Sequence, residues 1–135
     1  MDLPIAAKSL GEFWGVRWNR GFNDLAHQYI FDPARRKIGA SWATMLAFLA
    51  SGLVHELVIS VPARGGYGLP TLYFLLQGCG LLAERSRLGR RARLRRGLRG
   101  RLFALTIAAG PAYWLFHPPF VLRVIVPMLR DIHAL

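Results

Sequence analysis

The chain has 135 residues, of which 53% are hydrophobic, and its 18 Lys and Arg residues against 7 Asp and Glu give a net charge of +11. This length predicts one domain, and a single cysteine excludes an internal disulfide. Such a basic chain attracts nucleic acid or anionic lipid, but its uncharged stretches are long enough to cross a bilayer. They argue against nucleic-acid binding and predict an integral membrane protein.

Residues 9–31 are predicted to form an N-terminal amphipathic helix at the membrane interface. Ser9 and Glu12 have the spacing of a capping box, which satisfies backbone donors in the first turn. Two stripes follow at helical spacing, an aromatic and apolar one of Trp14, Trp18, Phe22, Leu25 and Tyr29, and a polar one of Gly15, Asn19, Asn23 and His27. The tryptophan-rich face is typical of an interfacial anchor. The alternative interpretation of this helix is that Asn19, on the polar stripe, points into a site. We expect Asp32-Pro33 to end the helix.

Three apolar stretches, residues 42–61, 66–83 and 102–122, are predicted to cross the membrane as helices. The segment 84–101 between the last two is polar and holds arginines at positions 85, 87, 90, 91, 93, 95, 96, 99 and 101. Basic residues near the ends of spans stay on the cytoplasmic side, so this loop is predicted to be cytoplasmic. The predicted fold is an all-α, multi-pass transmembrane protein.

His55 and Glu56 lie inside the first predicted span, where a polar pair is costly unless it faces a bundle interior or a wet cavity. Ser51 lies one turn before His55 and Gly52 one turn before Glu56, which gives a stripe of small and polar residues along this span. Burial favours the neutral imidazole, which is a competent general base. The position alone leaves two interpretations open: the pair stabilises helix packing, or it takes part in catalysis.

The histidines at positions 27, 55, 117 and 133 are scattered, and we expect no bound metal. The arginines of residues 84–101 also allow two interpretations. They form a solvated loop that contacts anionic lipid headgroups, or some of them contact the phosphates of an anionic cofactor. No aromatic residue interleaves them to stack on bases, so no nucleic-acid partner is expected.

Two segments together resemble a known family. Phe13-Trp14-Gly15-Val16-Arg17-Trp18-Asn19, followed by Ser51-Gly52-Leu53-Val54-His55-Glu56-Leu57, is similar to the signature of membrane-bound O-acyltransferases, in particular the wax-synthase branch. The resemblance implies transfer of a fatty acyl group from acyl-CoA to a hydroxyl, such as that of a long-chain alcohol, without a bound cofactor or metal.

In that resemblance His55 is the catalytic base and Asn19 orients a substrate or stabilises developing charge. We place Trp14, Trp18, Ser51 and Glu56 at the substrate.

Members of that family have many more spans than this chain, so residues 1–135 are expected to be the C-terminal part of one such domain. The acyltransferase would then need a missing N-terminal half or further copies of the chain to enclose a long acyl chain. The alternative is a non-catalytic membrane fragment or partner subunit, whose buried polar residues serve helix packing.

Overall fold

The computed structural model describes residues 3–134, and the long elements in that range are all helices, which confirms the predicted all-α class. A short 3-10 turn at Pro4–Ala6 precedes them. The helices are α1 (Leu10–Glu12 continued by Phe13–Arg17), α2 (Arg20–Ala26, His27–Phe31 and Asp32–Ile38), α3 (Ala40–Ala63), α4 (Leu69–Arg85), α5 (Arg87–Arg91), α6 (Gly97–Leu115) and α7 (Pro118–Asp131).

The helix predicted over residues 9–31 is divided at Trp18 and Asn19 into α1 and α2. Trp18 is extended, and Asn19 takes the left-handed conformation with φ 36°, which asparagine tolerates better than most residues. The Asn19 Oδ1 accepts a hydrogen bond of 3.3 Å from the Phe22 N–H and so caps α2. Ser9 caps α1 in the same way, with its Oγ accepting from the Glu12 N–H at 3.0 Å.

Prolines inside α2, α3 and α7 are each accommodated by a π-helical turn, in which the backbone is wider than in an α-helix. The turns His27–Phe31, Glu56–Ser60 and Val121–Ile125 each end two residues before a proline, at Pro33, Pro62 and Pro127. A proline lacks the N–H, and its ring clashes with the carbonyl four residues earlier; the wider turn relieves both. For this reason α2 does not end at Asp32-Pro33 but continues to Ile38.

Helices α3 and α4 approach closely because glycines stand at their contacts. A Cβ atom on Gly52 would lie 2.8 Å from the Thr71 Cα, and one on Gly78 would lie 2.9 Å from the Met45 sulfur. Small residues at such contacts let helix backbones pack against each other, as in membrane helix pairs. The close approach brings the Phe74 ring of α4 against α3.

A core of buried apolar side chains joins α1, α4 and α6, and it consists of Leu10, Leu81, Ala104 and Ala108. The Tyr73 hydroxyl of α4 donates a hydrogen bond of 2.7 Å to the Ala108 carbonyl of α6. Near the start of α6, Gly100 lies against the Lys8 carbonyl, where a side chain would not fit. Helix α6 is therefore held both by α4 and by the segment before α1.

The apolar stretch 102–122 is not one straight helix, because α6 and α7 meet at a bend of 58°. Pro118 and Pro119 stand in the first turn of α7, where the missing N–H groups have no helical partner to lose. His117 caps this turn, with its Nδ1 accepting from the Phe120 N–H at 3.3 Å. Arg123 donates from Nη1 to the Ala63 carbonyl at 3.0 Å, which holds α7 against the end of α3.

Within residues 3–134, one straight helix is long and apolar enough to cross a membrane, namely α3, with a mean hydropathy of 1.7. The pair α6 and α7 reaches the same length and composition only as a bent unit. Helix α4 has 17 residues, which at 1.5 Å per residue make about 25 Å. That length is slightly short of a hydrocarbon core of about 30 Å.

The basic segment 84–101 folds back onto α4 instead of forming an extended loop. The Ser86 Oγ accepts from the Gly89 N–H at 3.1 Å and caps the short helix α5. Gly89 itself lies directly against the Ala83 and Glu84 carbonyls, where only glycine fits. Residues 90–97, named here the arginine turn, then lead into α6.

Candidate active site

His55 has a fixed tautomer in this fold. Its Nδ1 lies 2.7 Å from the Ser51 carbonyl oxygen one turn earlier in α3. A carbonyl oxygen only accepts, so Nδ1 carries the hydrogen and Nε2 is the basic nitrogen of the neutral ring. The ring is half-buried and packs on Phe74, with 4.3 Å between ring centroids, while Phe22 approaches it edge-on at 6.5 Å.

A pocket of about 90 Å³ brings together most of the site residues that the sequence indicated. His55 and Ser51 of α3, Trp14 of α1, and Trp18 and Asn19 at the α1–α2 break all line it. The remaining walls are Phe22, Asn23, Ala26, Ala47, Phe48 and Phe74. The enclosure is mostly aromatic and apolar with a few polar groups, which is typical of a small-molecule site.

Asn19 stands at the open rim of this pocket, next to Trp18, whose side chain is 45% exposed. Its Oδ1 is held by the Phe22 N–H, which fixes the plane of the amide. Among residues 3–134, none accepts a hydrogen bond from the Asn19 Nδ2. The amide therefore presents two N–H donors that a bound molecule can use.

Trp14 forms one wall of the pocket and is held on several sides. Its ring lies 5.6 Å, centroid to centroid, from the rings of both Phe48 and Phe74. Its indole Nε1 donates a hydrogen bond of 3.2 Å to the Gln77 Oε1 of α4. Such edge-on and tilted aromatic contacts stabilise a defined ring position.

The hydrogen bonds of the Ser51 and Glu56 side chains are made to protein atoms. The Ser51 Oγ donates to the Ala47 carbonyl at 2.9 Å, so Ser51 serves His55 through its backbone carbonyl. Glu56 does not line the pocket. Its Oε1 accepts from the Gly68 N–H at 2.9 Å and from the Thr71 N–H and hydroxyl at 3.2 and 2.9 Å, so it caps the N-terminus of α4.

Two neighbouring cavities extend the pocket along α3. One of about 260 Å³ shares Trp14, Asn23 and Phe48 with the pocket, and it is also lined by Gly15 and His27. The next, of about 290 Å³, shares Thr44 and Arg85 with the second and reaches Ser86. Together the three form a groove, named here the α3 groove, that leads from His55 to the basic end of α4. The polar stripe of Gly15, Asn19, Asn23 and His27 lies along it.

Sequence reasoning missed two buried polar side chains of α4 that hold the site together. Gln77 is fully buried and contacts Trp14, and its Nε2 donates to the Ile107 carbonyl at 2.7 Å. Glu84 is 1% exposed, and its Oε2 and Oε1 accept from the Leu10 and Gly11 N–H groups at 2.6 and 3.2 Å. Gln77 carried the same signal that selected His55, a polar residue inside an apolar stretch. Glu84 was read as the start of a polar loop.

The chain is similar to known acyltransferases. The model of the membrane bound O-acyl transferase family matches residues 1–76. A probable long-chain-alcohol O-fatty-acyltransferase of Arabidopsis thaliana is 37% identical over 86 residues, which is 57% of this chain and 25% of the relative. The long-chain-alcohol O-fatty-acyltransferase of Simmondsia chinensis is 31% identical over 87% of this chain and 37% of its own length.

The acyl-CoA–sterol O-acyltransferase 1 of Arabidopsis thaliana is 28% identical over 98% of this chain and 41% of its own length. No solved structure matched the chain significantly. The chain thus spans roughly a quarter to two fifths of the length of these curated relatives. The family model covers more than half of the 135 residues, including both His55 and Asn19, and the chain belongs to the membrane-bound O-acyltransferase family.

Proposed function

We propose that the His55 pocket transfers a fatty acyl group from acyl-CoA to a hydroxyl group. The observation that carries the proposal is the hydrogen bond of 2.7 Å between the His55 Nδ1 and the Ser51 carbonyl, which leaves Nε2 as the basic nitrogen. Asn19, with free amide donors, lines the same pocket. A fixed base and a hydrogen-bond donor in one pocket are what acyl transfer needs.

In the proposed reaction the acceptor hydroxyl oxygen attacks the thioester carbonyl carbon, and the hydroxyl proton passes to the His55 Nε2. A C–O bond forms, and the carbonyl oxygen becomes an oxyanion that the Asn19 Nδ2 stabilises as a hydrogen-bond donor. The tetrahedral intermediate then collapses, the C–S bond breaks, and the imidazolium returns the proton to the thiolate of coenzyme A. No metal or bound cofactor is needed in this sequence.

The α3 groove supports acyl-CoA as the donor. It leads from His55 to Arg85, at the end of α4 that is followed by the arginine turn. The phosphates of coenzyme A are polyanionic, and arginine binds phosphate oxygens in bidentate fashion. We place the phosphates at this basic end and the thioester in the pocket, with the basic segment on the cytoplasmic side and α3, α4 and the α6–α7 unit as membrane spans.

A long-chain alcohol is the proposed acceptor, because two of the relatives carry that activity in their names. A pocket of about 90 Å³ holds the reacting groups but not two aliphatic chains. The rest of the substrates would extend past the open rim at Trp18, into lipid or against a second chain. This openness also favours the second candidate function, a partner subunit that completes its site with another chain.

The proposal is tested by ester formation in membranes that contain the chain, supplied with radiolabelled acyl-CoA and either a long-chain alcohol or a sterol. We expect a labelled wax ester from the wild-type chain. His55→Ala should lower the rate by about 10³-fold, since general-base catalysis contributes about 10²–10⁴-fold. The matched control is His133→Ala, which removes an exposed imidazole at the end of α7 and should not change the rate.

Ester formation that survives His55→Ala would contradict the proposed base. Ester that appears only with a second, co-expressed chain would favour the partner-subunit function. A sterol ester without a wax ester would keep the reaction and change the acceptor.

A further inference from the structure

We propose that Gln77 is a positioning residue for the pocket, which holds the Trp14 wall in place and makes that wall depend on α6. The inference rests on the proposed acyl-transfer function of the pocket. Gln77 does not itself line the pocket and lies one helical turn beyond Phe74, which does. It is fully buried, in the apolar part of α4, and both ends of its amide are engaged.

The two hydrogen bonds of Gln77 join two different elements. Its Oε1 accepts from the Trp14 Nε1 of α1 at 3.2 Å, and its Nε2 donates to the Ile107 carbonyl of α6 at 2.7 Å. A buried amide that loses one partner leaves the other polar group unsatisfied, which costs about 1–3 kcal/mol. The amide is therefore held in one orientation, and so is the indole N–H that points at it.

Trp14 in turn determines the shape of the pocket. Its ring contacts Phe48 of α3 and Phe74 of α4 on the pocket wall, and its centroid lies 6.4 Å from that of Trp18 at the rim. A tilt of the Trp14 ring would move the rim next to Asn19 and the space beside His55. Small displacements of reacting groups are expensive in catalysis, so a hydrogen bond outside the pocket can affect the rate.

Helix α4 offers a matched control one turn away. Tyr73 lies four residues before Gln77, and its hydroxyl donates to the Ala108 carbonyl of α6 at 2.7 Å, but Tyr73 does not line the pocket. Both residues tie α4 to α6 with one hydrogen bond. Only Gln77 also contacts Trp14. A merely structural role predicts similar effects of losing either bond, whereas a positioning role predicts an effect on catalysis from Gln77 alone.

The test compares Gln77→Met, Tyr73→Phe, Trp14→Phe and the double variant Trp14→Phe/Gln77→Met in the ester assay. We expect Gln77→Met to lower kcat about 10-fold with a smaller change in KM, and Tyr73→Phe to remain within twofold of the wild type. The double variant should be no slower than the slower single variant, because both changes remove the same contact. Equal losses in Gln77→Met and Tyr73→Phe, or multiplicative losses in the double variant, would overturn the proposal.

A second readout does not depend on activity. In the ¹⁵N-labelled chain in detergent, the indole N–H signal that Trp14→Phe removes identifies Trp14 among the 4 tryptophans. Gln77→Met should shift that signal upfield and leave those of Trp42 and Trp114 in place, while Tyr73→Phe should not move it. An unmoved Trp14 signal would overturn the inference. A shifted signal in a chain that forms no ester would keep the Trp14 contact and reject the proposed function.

Discussion

The His55 pocket and the arginine turn are the two parts of the molecule with functional character, and they differ in how they are built. The pocket has about 90 Å³ and aromatic walls, and hydrogen bonds to protein atoms orient its polar side chains, as the Ser51 carbonyl orients His55 and the Phe22 N–H orients Asn19. The cavity at the arginine turn has about 720 Å³ and is lined by Arg90, Arg93, Arg95, Arg96 and Gly97, all exposed. Under the proposed function, the pocket carries the chemistry and the arginine turn supplies positive charge.

The match to the family model follows the same division, since it covers residues 1–76 and therefore the pocket but not the arginine turn. A fixed, partly desolvated site acts through geometry, and changes there should affect kcat. A solvated basic surface acts through the field it creates, which salt screens over about 10 Å at 0.1 M. Changes there should affect KM in a salt-dependent manner.

Beside His55→Ala, the largest effect in this comparison is expected from Asn19→Asp. Aspartate keeps the side-chain oxygen that accepts from the Phe22 N–H and tolerates the left-handed backbone, so α2 remains capped. It removes the two N–H donors of the amide. Loss of one such donor to an oxyanion costs about 10²–10³-fold in kcat. Steady-state kinetics together with an unchanged circular dichroism spectrum would check this, and a kcat near that of the wild type would remove Asn19 from the mechanism.

The second effect concerns stability and the position of α1. Glu84→Leu leaves the Leu10 and Gly11 N–H groups without their acceptor in a buried position. We expect a destabilisation of about 2–3 kcal/mol, at the upper end of the range for unsatisfied buried donors. Glu84→Gln retains one good acceptor and should lose less. Thermal unfolding in detergent measures both, and equal stability of the wild type and Glu84→Leu would show that these hydrogen bonds contribute nothing net.

Asn19 and Glu56 show which parts of the site could be predicted from the sequence. The resemblance to the membrane-bound O-acyltransferases, carried by residues 13–19 and 51–57, implied that Asn19 and His55 belong to one site, and the structure lines one pocket with both. Glu56 was predicted to contact the substrate because it follows His55 in the sequence. Its actual contacts, Gly68 and Thr71, depend on the geometry of the α3–α4 turn, which local periodicity does not encode.

The division of the helix at Asn19 could not be predicted from the sequence either, because the residues on both sides of Asn19 have helical spacing. Only the left-handed backbone of Asn19 separates α1 from α2. Pro33 was read as a stop signal, but a π-helical turn just before it lets α2 continue. Such a turn lets a helix avoid the clash between a proline ring and the preceding backbone, and whether it forms depends on what the rest of the helix packs against.

A smaller effect is expected from the arginine turn. Arg93→Gln together with Arg96→Gln removes two exposed positive charges that line its cavity. We expect KM for acyl-CoA to rise about two- to fivefold at low ionic strength and the difference to fade above about 0.3 M salt, since exposed charges are screened. Initial rates at several salt concentrations would measure it. A salt-independent change in KM would indicate a direct, desolvated phosphate contact instead.

The smallest effect concerns pH and the start of α1. The Lys8 N–H and the Arg17 guanidinium, whose Nε lies 2.7 Å from the carboxylate, hold the pKa of Glu12 below its usual value of 4.5. A lowered pKa in the folded state means that this contribution to stability is complete above pH 4.5 and is lost as the pH falls below it. Glu12→Gln should therefore unfold with a shallower pH dependence below pH 4.5. Identical acid-unfolding curves would contradict this.

The most direct test of the division between pocket and arginine turn is the rate of ester formation at saturating acyl-CoA. It is measured side by side for the wild type, His55→Ala and Arg93→Gln/Arg96→Gln. We predict a loss of about 10³-fold for His55→Ala and a rate close to that of the wild type for the arginine variant. A saturated rate that survives His55→Ala, or that falls as far in the arginine variant, would contradict the assignment of the chemistry to the His55 pocket.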